Sequence, residues 1–184
     1  MLALWLVGAP GIGKTTALRH VFDGGFASFV PKPKWTIAPP VALAGHYTGT
    51  TFDGGDTVPY NGAEDCLLFW LTNLRTRPDL RLTVFDGDRF SSAGSLERVR
   101  SSGVRCCCVL LTVPGAVLEA RRAARGAKQA SSWALGRATK ASRFYEKFGE
   151  ADRLQINADA PPQQVAAQMA GWLNEQGCNV VLRS

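Results

Sequence analysis

The sequence predicts an α/β fold of three layers, with helices on both faces of a mostly parallel sheet and a basic helical insertion late in the chain. Three observations carry that prediction. Apolar runs of strand length alternate with stretches of helical period. The first run, LALWLV at 2–7, contains no polar residue, as a strand covered on both faces requires. It leads directly into GAPGIGKTT at 8–16, a glycine-rich turn of the kind that joins such a strand to a helix. The length, 184 residues, suits one domain, so 1–184 is read as a single unit with the insertion at about 115–148.

Taken in order, the helix after the turn spans about 14–22 and is ended by Gly24 and Gly25. Residues 25–40 hold four prolines, which argues against a central strand there, because proline cannot donate to a sheet ladder. A strand at 41–46 (VALAGH) is followed by YTGTTFDGGDTVPYNG, long for a passive connection and dense in Gly, Asp and Thr. Ala63, Leu67, Leu71 and Leu74 form one stripe of a helix over 62–76. RLTVFD at 81–86 is a strand ending on an acid, and a helix around 94–102 leads to a strand at 105–112. Segment 115–148 is helical by composition, in two or three pieces broken near Gly126 and Gly136. RLQIN at 153–157 is the last strand. The last helix opens at Pro161 and Pro162, where the first turn tolerates proline, and Val165, Ala166, Met169, Trp172 and Leu173 supply its apolar face.

The composition, 46% hydrophobic and 20% charged, is that of a water-soluble globular protein. No apolar run approaches the roughly 20 residues a membrane span needs, so no membrane partner is expected. The apolar start lacks a basic leader and reads as a buried strand rather than a signal peptide. Of the cysteines, Cys66, Cys106, Cys107, Cys108 and Cys178, three are consecutive and cannot converge on one metal, and none has zinc-ligand spacing. They read as small buried apolar residues, and free thiols without a signal point to a reducing, cytoplasmic setting. The net charge of +6 is concentrated. Residues 119–147 hold eight basic and two acidic side chains, the rest of the chain balances, and this segment is expected to face an anion.

The chemistry starts at Gly8, Pro10, Gly11, Ile12, Gly13, Lys14, Thr15 and Thr16. This pattern lets backbone N–H groups and a helix N-terminus converge on phosphates. Lys14 is expected to bridge the β- and γ-phosphates of ATP, and the Thr15 hydroxyl to ligate Mg2+. Asp86, closing an apolar strand, is the acid expected to hold that metal or its water shell, with Asp88 and Arg89 next to it for substrate or phosphate. Asp53 and Asp56 lie in FDGGD, where a carboxylate would orient an attacking hydroxyl and take its proton; Asp56 is the stronger candidate. His46 and Tyr47 just before it are candidates to line the acceptor pocket. Arg121 and Arg125 are candidates for a lid over the γ-phosphate. Lys128, Arg137, Lys140 and Arg143, interleaved with Trp133, Phe144 and Tyr145, read as candidates for nucleic-acid contact.

The order of these motifs resembles the nucleotide-kinase branch of P-loop proteins. The residues that carry the resemblance are GAPGIGKTT at 8–16, GHYTGTTFDGGDTVPYNG at 45–62, VFDGDRF at 84–90, RRAARGAKQASSWALGRATKASRF at 121–144 and LQINADAPPQQVAAQM at 154–169. More narrowly, the chain resembles the small kinases of tailed bacteriophages that phosphorylate 5-hydroxymethyluracil within DNA. The resemblance implies a P-loop kinase fold, ATP as donor, Mg2+ as metal, and the hydroxymethyl group of a modified pyrimidine in DNA as acceptor. It also implies a host cytoplasmic setting.

Other readings share parts of this pattern. A kinase of free nucleosides or nucleoside monophosphates would have the same fold and chemistry. A GTPase-type switch would carry Asn-Lys-x-Asp and Asp-x-x-Gly, and the chain contains neither. A nucleic-acid binder that retained the loop without catalysis would bind DNA but turn over no ATP.

Overall fold

The computed structural model describes residues 1–22, 28–47, 53–127 and 129–178. Strand β1 (Leu2–Val7) is fully buried. Its side chains alternate between two cores. Leu2, Leu4 and Leu6 pack with helices α1 (Lys14–Phe22) and α6 (Pro162–Glu175). Ala3, Trp5 and Val7 pack on the other face with α2 (Ala63–Phe69), α3 (Ala93–Arg100) and α5 (Ser131–Tyr145). An apolar run without polar breaks thus produces the central strand of a three-layer α/β/α sandwich.

The sheet runs β2-β3-β4-β5-β1-β6-β7, with β2 Ser28–Val30, β3 Trp35–Ala38, β4 Val41–Ala44, β5 Leu82–Asp86, β6 Arg105–Thr112 and β7 Arg153–Asn157. From β4 to β7 all pairings are parallel; β2 and β3 add an antiparallel hairpin. That hairpin modifies the expectation for residues 25–40. The prolines stand in the turns on either side of β3, so Trp35–Ala38 pairs with a strand on each side while no proline interrupts a ladder. The helical insertion also differs from expectation. It has two pieces, α4 (Gly115–Ala124) and α5, separated at Gly126 but continuous through Gly136. A helix-interior glycine costs only about 1 kcal/mol, and α5 offsets that by burying Ala134, Ala141 and Phe144. The sequence's Gly24 and Gly25 stop lies outside the described residues.

The cysteines are all free and buried. Cys106 and Cys108 face one core and Cys107 the other, so the consecutive thiols point away from one another. Burial pushes the Cys66 and Cys107 thiols up to about 12, far from a reactive thiolate at neutral pH. Among the described residues no helix is long and apolar enough to cross a membrane.

For function the decisive feature is register. β1 and β5 pair in parallel with Leu6 opposite Asp86, and the Gly87 N–H donates to the Leu6 carbonyl at 3.0 Å. The turn that leaves β1 and the acid that ends β5 therefore emerge side by side at the carboxyl ends of the strands, where open α/β sheets bind ligands.

Candidate active site

The glycine-rich turn runs from Gly8 to the first residue of α1, Lys14. The Lys14 ammonium donates to the carbonyls of Gly8 and Ala9 at 3.1 and 3.2 Å, which ties its side chain back across the turn. Two cavities flank this turn. One, of about 420 Å³, is lined by Lys14, Thr15, Asp56, Asp86, Asp88 and Arg89, with Tyr60, Trp133 and Arg137 at its rim. The other, of about 360 Å³, lies between Ile12, Thr16, Arg121, Arg125, Ala158 and Ala160. Gly11, Gly13, Thr16 and Arg125 border both. A ligand with a flat group in the second cavity and a phosphate chain over the turn fits this arrangement.

Thr15 and Asp86 fit a metal. The Thr15 hydroxyl donates to Asp86 Oδ2 at 3.2 Å, and the phenol of Tyr47 donates to the same oxygen at 3.2 Å. The other oxygen, Asp86 Oδ1, is buried and has no hydrogen-bond partner among the described residues. A buried carboxylate oxygen left unpaired is costly, and a hydrated magnesium ion would satisfy it. Among the described residues no group of three or more His, Cys, Asp or Glu side chains could hold a metal ion. A magnesium held by one hydroxyl, one acid, waters and phosphate oxygens needs no such cluster.

The FDGGD loop keeps this spot open. Gly54 has φ 70° and ψ −146°, a conformation essentially confined to glycine. A Cβ there would sit 3.0 Å from Thr15 Oγ1 and 3.1 Å from Asp86 Oδ2. A Cβ on Gly55 would fall 2.2 Å from the Asp86 carbonyl oxygen. Gly54→Ala is therefore expected to raise the Mg2+ concentration for half-maximal ATP binding by about tenfold, the equivalent of about 1.4 kcal/mol. Titration of a fluorescent ATP analogue at varied Mg2+ measures it, and an unchanged Mg2+ midpoint would remove the loop from the metal site.

Burial raises the Asp86 pKa above its ordinary value of 3.8, and the charge of Asp56 adds to the rise. The Lys14 ammonium and hydrogen bonds from Gly55 and Thr15 act in the opposite direction. A proton would therefore compete with a Mg2+ ion held there at a pH where an ordinary aspartate would still be ionised. Mg2+ affinity is expected to fall as pH is lowered toward that raised value, and Asp86→Asn should abolish the pH dependence along with most of the affinity. The sign for stability is the reverse. A carboxyl whose folded pKa lies above its unfolded one costs stability at neutral pH, and that cost is relieved as pH falls through the folded value. Parallel Mg2+ titrations and thermal melts across mildly acidic pH test both. Mg2+ affinity constant down to the ordinary aspartate range would contradict the first.

The acceptor side differs in part from the sequence expectation. Asp56 faces the cleft, with its side chain 70% exposed, and pairs with Arg89. Asp88 pairs with Arg137 of α5, while Lys140 donates to the Asp88 carbonyl at 3.0 Å. Asp53 is not part of the cleft lining; its buried carboxylate pairs with the partly exposed Arg19 of α1. Tyr47 is a buried partner of Asp86 rather than a pocket wall, and the His46 ring lies 2.9 Å from the Val30 carbonyl on the sheet edge.

The arginines at the end of α4 take different positions. Arg121 donates to the Ile12 and Ala158 carbonyls at 3.3 and 2.9 Å, fastening α4 to the turn and to the loop after β7. Arg122 is buried and donates to Glu119 at 2.9 Å and to the Gln129 carbonyl at 2.6 Å, so it braces the α4–α5 corner. Arg125 is exposed at the border of both cavities. Arg143 is exposed on α5, and Lys128 lies outside the described residues.

Sequence reasoning missed the roles of Tyr47, Gly54, Tyr60 and the Ala158–Ala160 loop. The last was within reach, because it leaves the carboxyl end of a parallel strand next to the phosphate loop. The others depend on long-range contacts that no local pattern encodes.

No protein-family model matches the chain, and no curated protein is similar to it. Solved structures do resemble it. The Deinococcus radiodurans tunicamycin resistance protein superposes with a TM-score of 0.57 at 16% identity, over 100% of this chain and 99% of its own. A gluconokinase from Sinorhizobium meliloti 1021 gives 0.51 at 15% identity, over 95% and 97% of the two chains. A sugar kinase from Janibacter sp. HTCC2649 gives 0.54 at 14% identity, over 95% of each. At these identities the likeness is one of fold, a mostly parallel α/β sheet layered with helices, and it extends over nearly the whole chain.

Proposed function

We propose that the protein is an ATP-dependent phosphotransferase whose acceptor is the hydroxymethyl group of 5-hydroxymethyluracil in DNA. One observation carries the phosphotransfer reading: Lys14, the Thr15–Asp86 pair and a solvent-facing carboxylate, Asp56, line a single cleft. The neighbouring folds named above support a kinase in general terms.

In this reading the backbone from Gly8 to Thr16, Pro10 excepted as a donor, cradles the phosphates, and the adenine occupies the cavity beside Arg121 and Ala158. Thr15 and Asp86 would hold Mg2+, which supplies charge neutralisation on the β- and γ-phosphates. Asp56 orients the acceptor hydroxyl. As the acceptor oxygen bonds to the γ-phosphorus, the bond from that phosphorus to the β–γ bridging oxygen breaks, and the hydroxyl proton passes to the Asp56 carboxylate. Lys14 stabilises the charge left on the β-phosphate, and Arg125 closes from the lid. Asp88, tied to Arg137, organises the acceptor side rather than acting as base.

For DNA as acceptor, the support is cationic: Arg125 is exposed at the cleft, and Arg143 is exposed further along α5. A second reading, a kinase of free nucleosides or other small hydroxyl compounds, is favoured by the internal use of other cations. Arg122 is taken up by Glu119, and Arg137 and Lys140 by Asp88. ADP release separates the two. Duplex DNA containing 5-hydroxymethyluracil is expected to stimulate it saturably, while unmodified DNA does not. Stimulation by a free nucleoside alone would replace DNA with the second reading.

A further inference from the structure

Two aromatic side chains stand exposed where the acceptor cleft opens. Tyr60 is 69% exposed and Trp133 39%, whereas Trp5, Trp35 and Trp70 are fully buried. They come from different elements, the β4–α2 connection and α5, and converge on one guanidinium. Arg137 Cζ lies 5.3 Å from the centroid of the Trp133 ring and 5.9 Å from that of Tyr60, and the guanidinium is 3.4 Å from the Tyr60 hydroxyl. Asp88 holds the same arginine in place. Three flat, delocalised groups thus meet at the rim of the cavity that contains Lys14 and Asp56.

We infer that Tyr60, Trp133 and Arg137 form a stacking platform that receives one unpaired pyrimidine base of a DNA strand. The inference rests on the phosphotransferase reading above and specifies its acceptor. Large exposed aromatics gain from a ligand that covers them, and a base offers a π-face to each of these groups. Trp133, Arg137 and Lys140 are spaced i, i+4 and i+7, so they share one face of α5, with exposed Arg143 next to it. Stacking surface and cation therefore run along one helix, as a base and its flanking phosphates require. A base inside a duplex is stacked on both faces and has none free for Trp133. The platform therefore implies that the acceptor base is single-stranded or extruded from its helix.

Binding without ATP tests this independently of phosphotransfer. Fluorescence anisotropy of a labelled single-stranded oligothymidylate is measured with wild type, Trp133→Ala, Tyr60→Ala and Trp133→Phe, alongside a duplex of the same length. Wild type is expected to prefer the single strand. The alanine variants should weaken single-strand binding by about tenfold each, at low and moderate salt alike, while Trp133→Phe stays within about twofold because a ring remains. Thermal melts confirm that the variants fold. Alanine variants that bind like wild type, equal binding of duplex with no effect of Trp133→Ala, or no oligonucleotide binding at all would overturn the platform. Oligonucleotide binding that depends on Trp133 without any phosphotransfer would leave the platform standing and remove the kinase reading instead.

Discussion

Replacing Lys14 by alanine is expected to abolish turnover, lowering the rate by about 10³-fold or more. Lys14 opens α1 at the end of the phosphate loop and is partly buried in the cleft beside Asp86. In the proposed reaction its ammonium meets the β- and γ-phosphates, where such a charge contributes several kcal/mol of transition-state stabilisation. The change also removes two hydrogen bonds to the Gly8 and Ala9 carbonyls, at about 1 kcal/mol each in net stability. A thermal melt separates that loss of stability from the loss of chemistry. A folded Lys14→Ala protein with wild-type turnover would end the phosphotransferase reading.

The second large effect is expected from Asp56→Asn, about 10²- to 10⁴-fold in kcat with little change in the KM for ATP. Asparagine keeps the shape and can still accept from Arg89, so the variant removes proton acceptance while keeping orientation. Asp88→Asn is the companion. Asp88 is engaged by Arg137 and, at 4.0 Å, by Lys140, so its loss should raise the KM for the acceptor more than it lowers kcat. If Asp56→Asn leaves kcat within about twofold of wild type while Asp88→Asn reduces it by orders of magnitude, the two acids exchange roles.

Much of the fold was legible because its strands are unbroken apolar runs with clear ends. The expected spans 105–112 and 153–157 coincide with β6 and β7, and 2–7 with β1. The glycine-rich turn between β1 and α1 was legible for the same reason, since it joins an unbroken apolar strand to a helix. Asp86 stood out because an acid at the end of an apolar run is conspicuous. Less legible was the division between Asp53 and Asp56, three residues apart in one loop. Only the tertiary pairing of Asp53 with Arg19, and of Asp56 with Arg89, separates an acid away from the cleft lining from one that lines it. The basic segment was misleading in a similar way. Its composition reads as one cationic surface, yet Arg122 is buried beneath it, where it bonds Glu119 and the Gln129 carbonyl at the α4–α5 corner. Proline content hid β3, which fits between two proline turns.

The most direct test of the central claim follows the phosphate itself. ATP labelled in the γ-position is incubated with the protein, Mg2+ and DNA containing 5-hydroxymethyluracil. The DNA is then digested to nucleosides and the labelled product identified. The account predicts label on the hydroxymethyl oxygen of the modified base, absent with unmodified DNA and absent with Lys14→Ala. Label released only as inorganic phosphate, with every hydroxyl acceptor left unmodified, would contradict it.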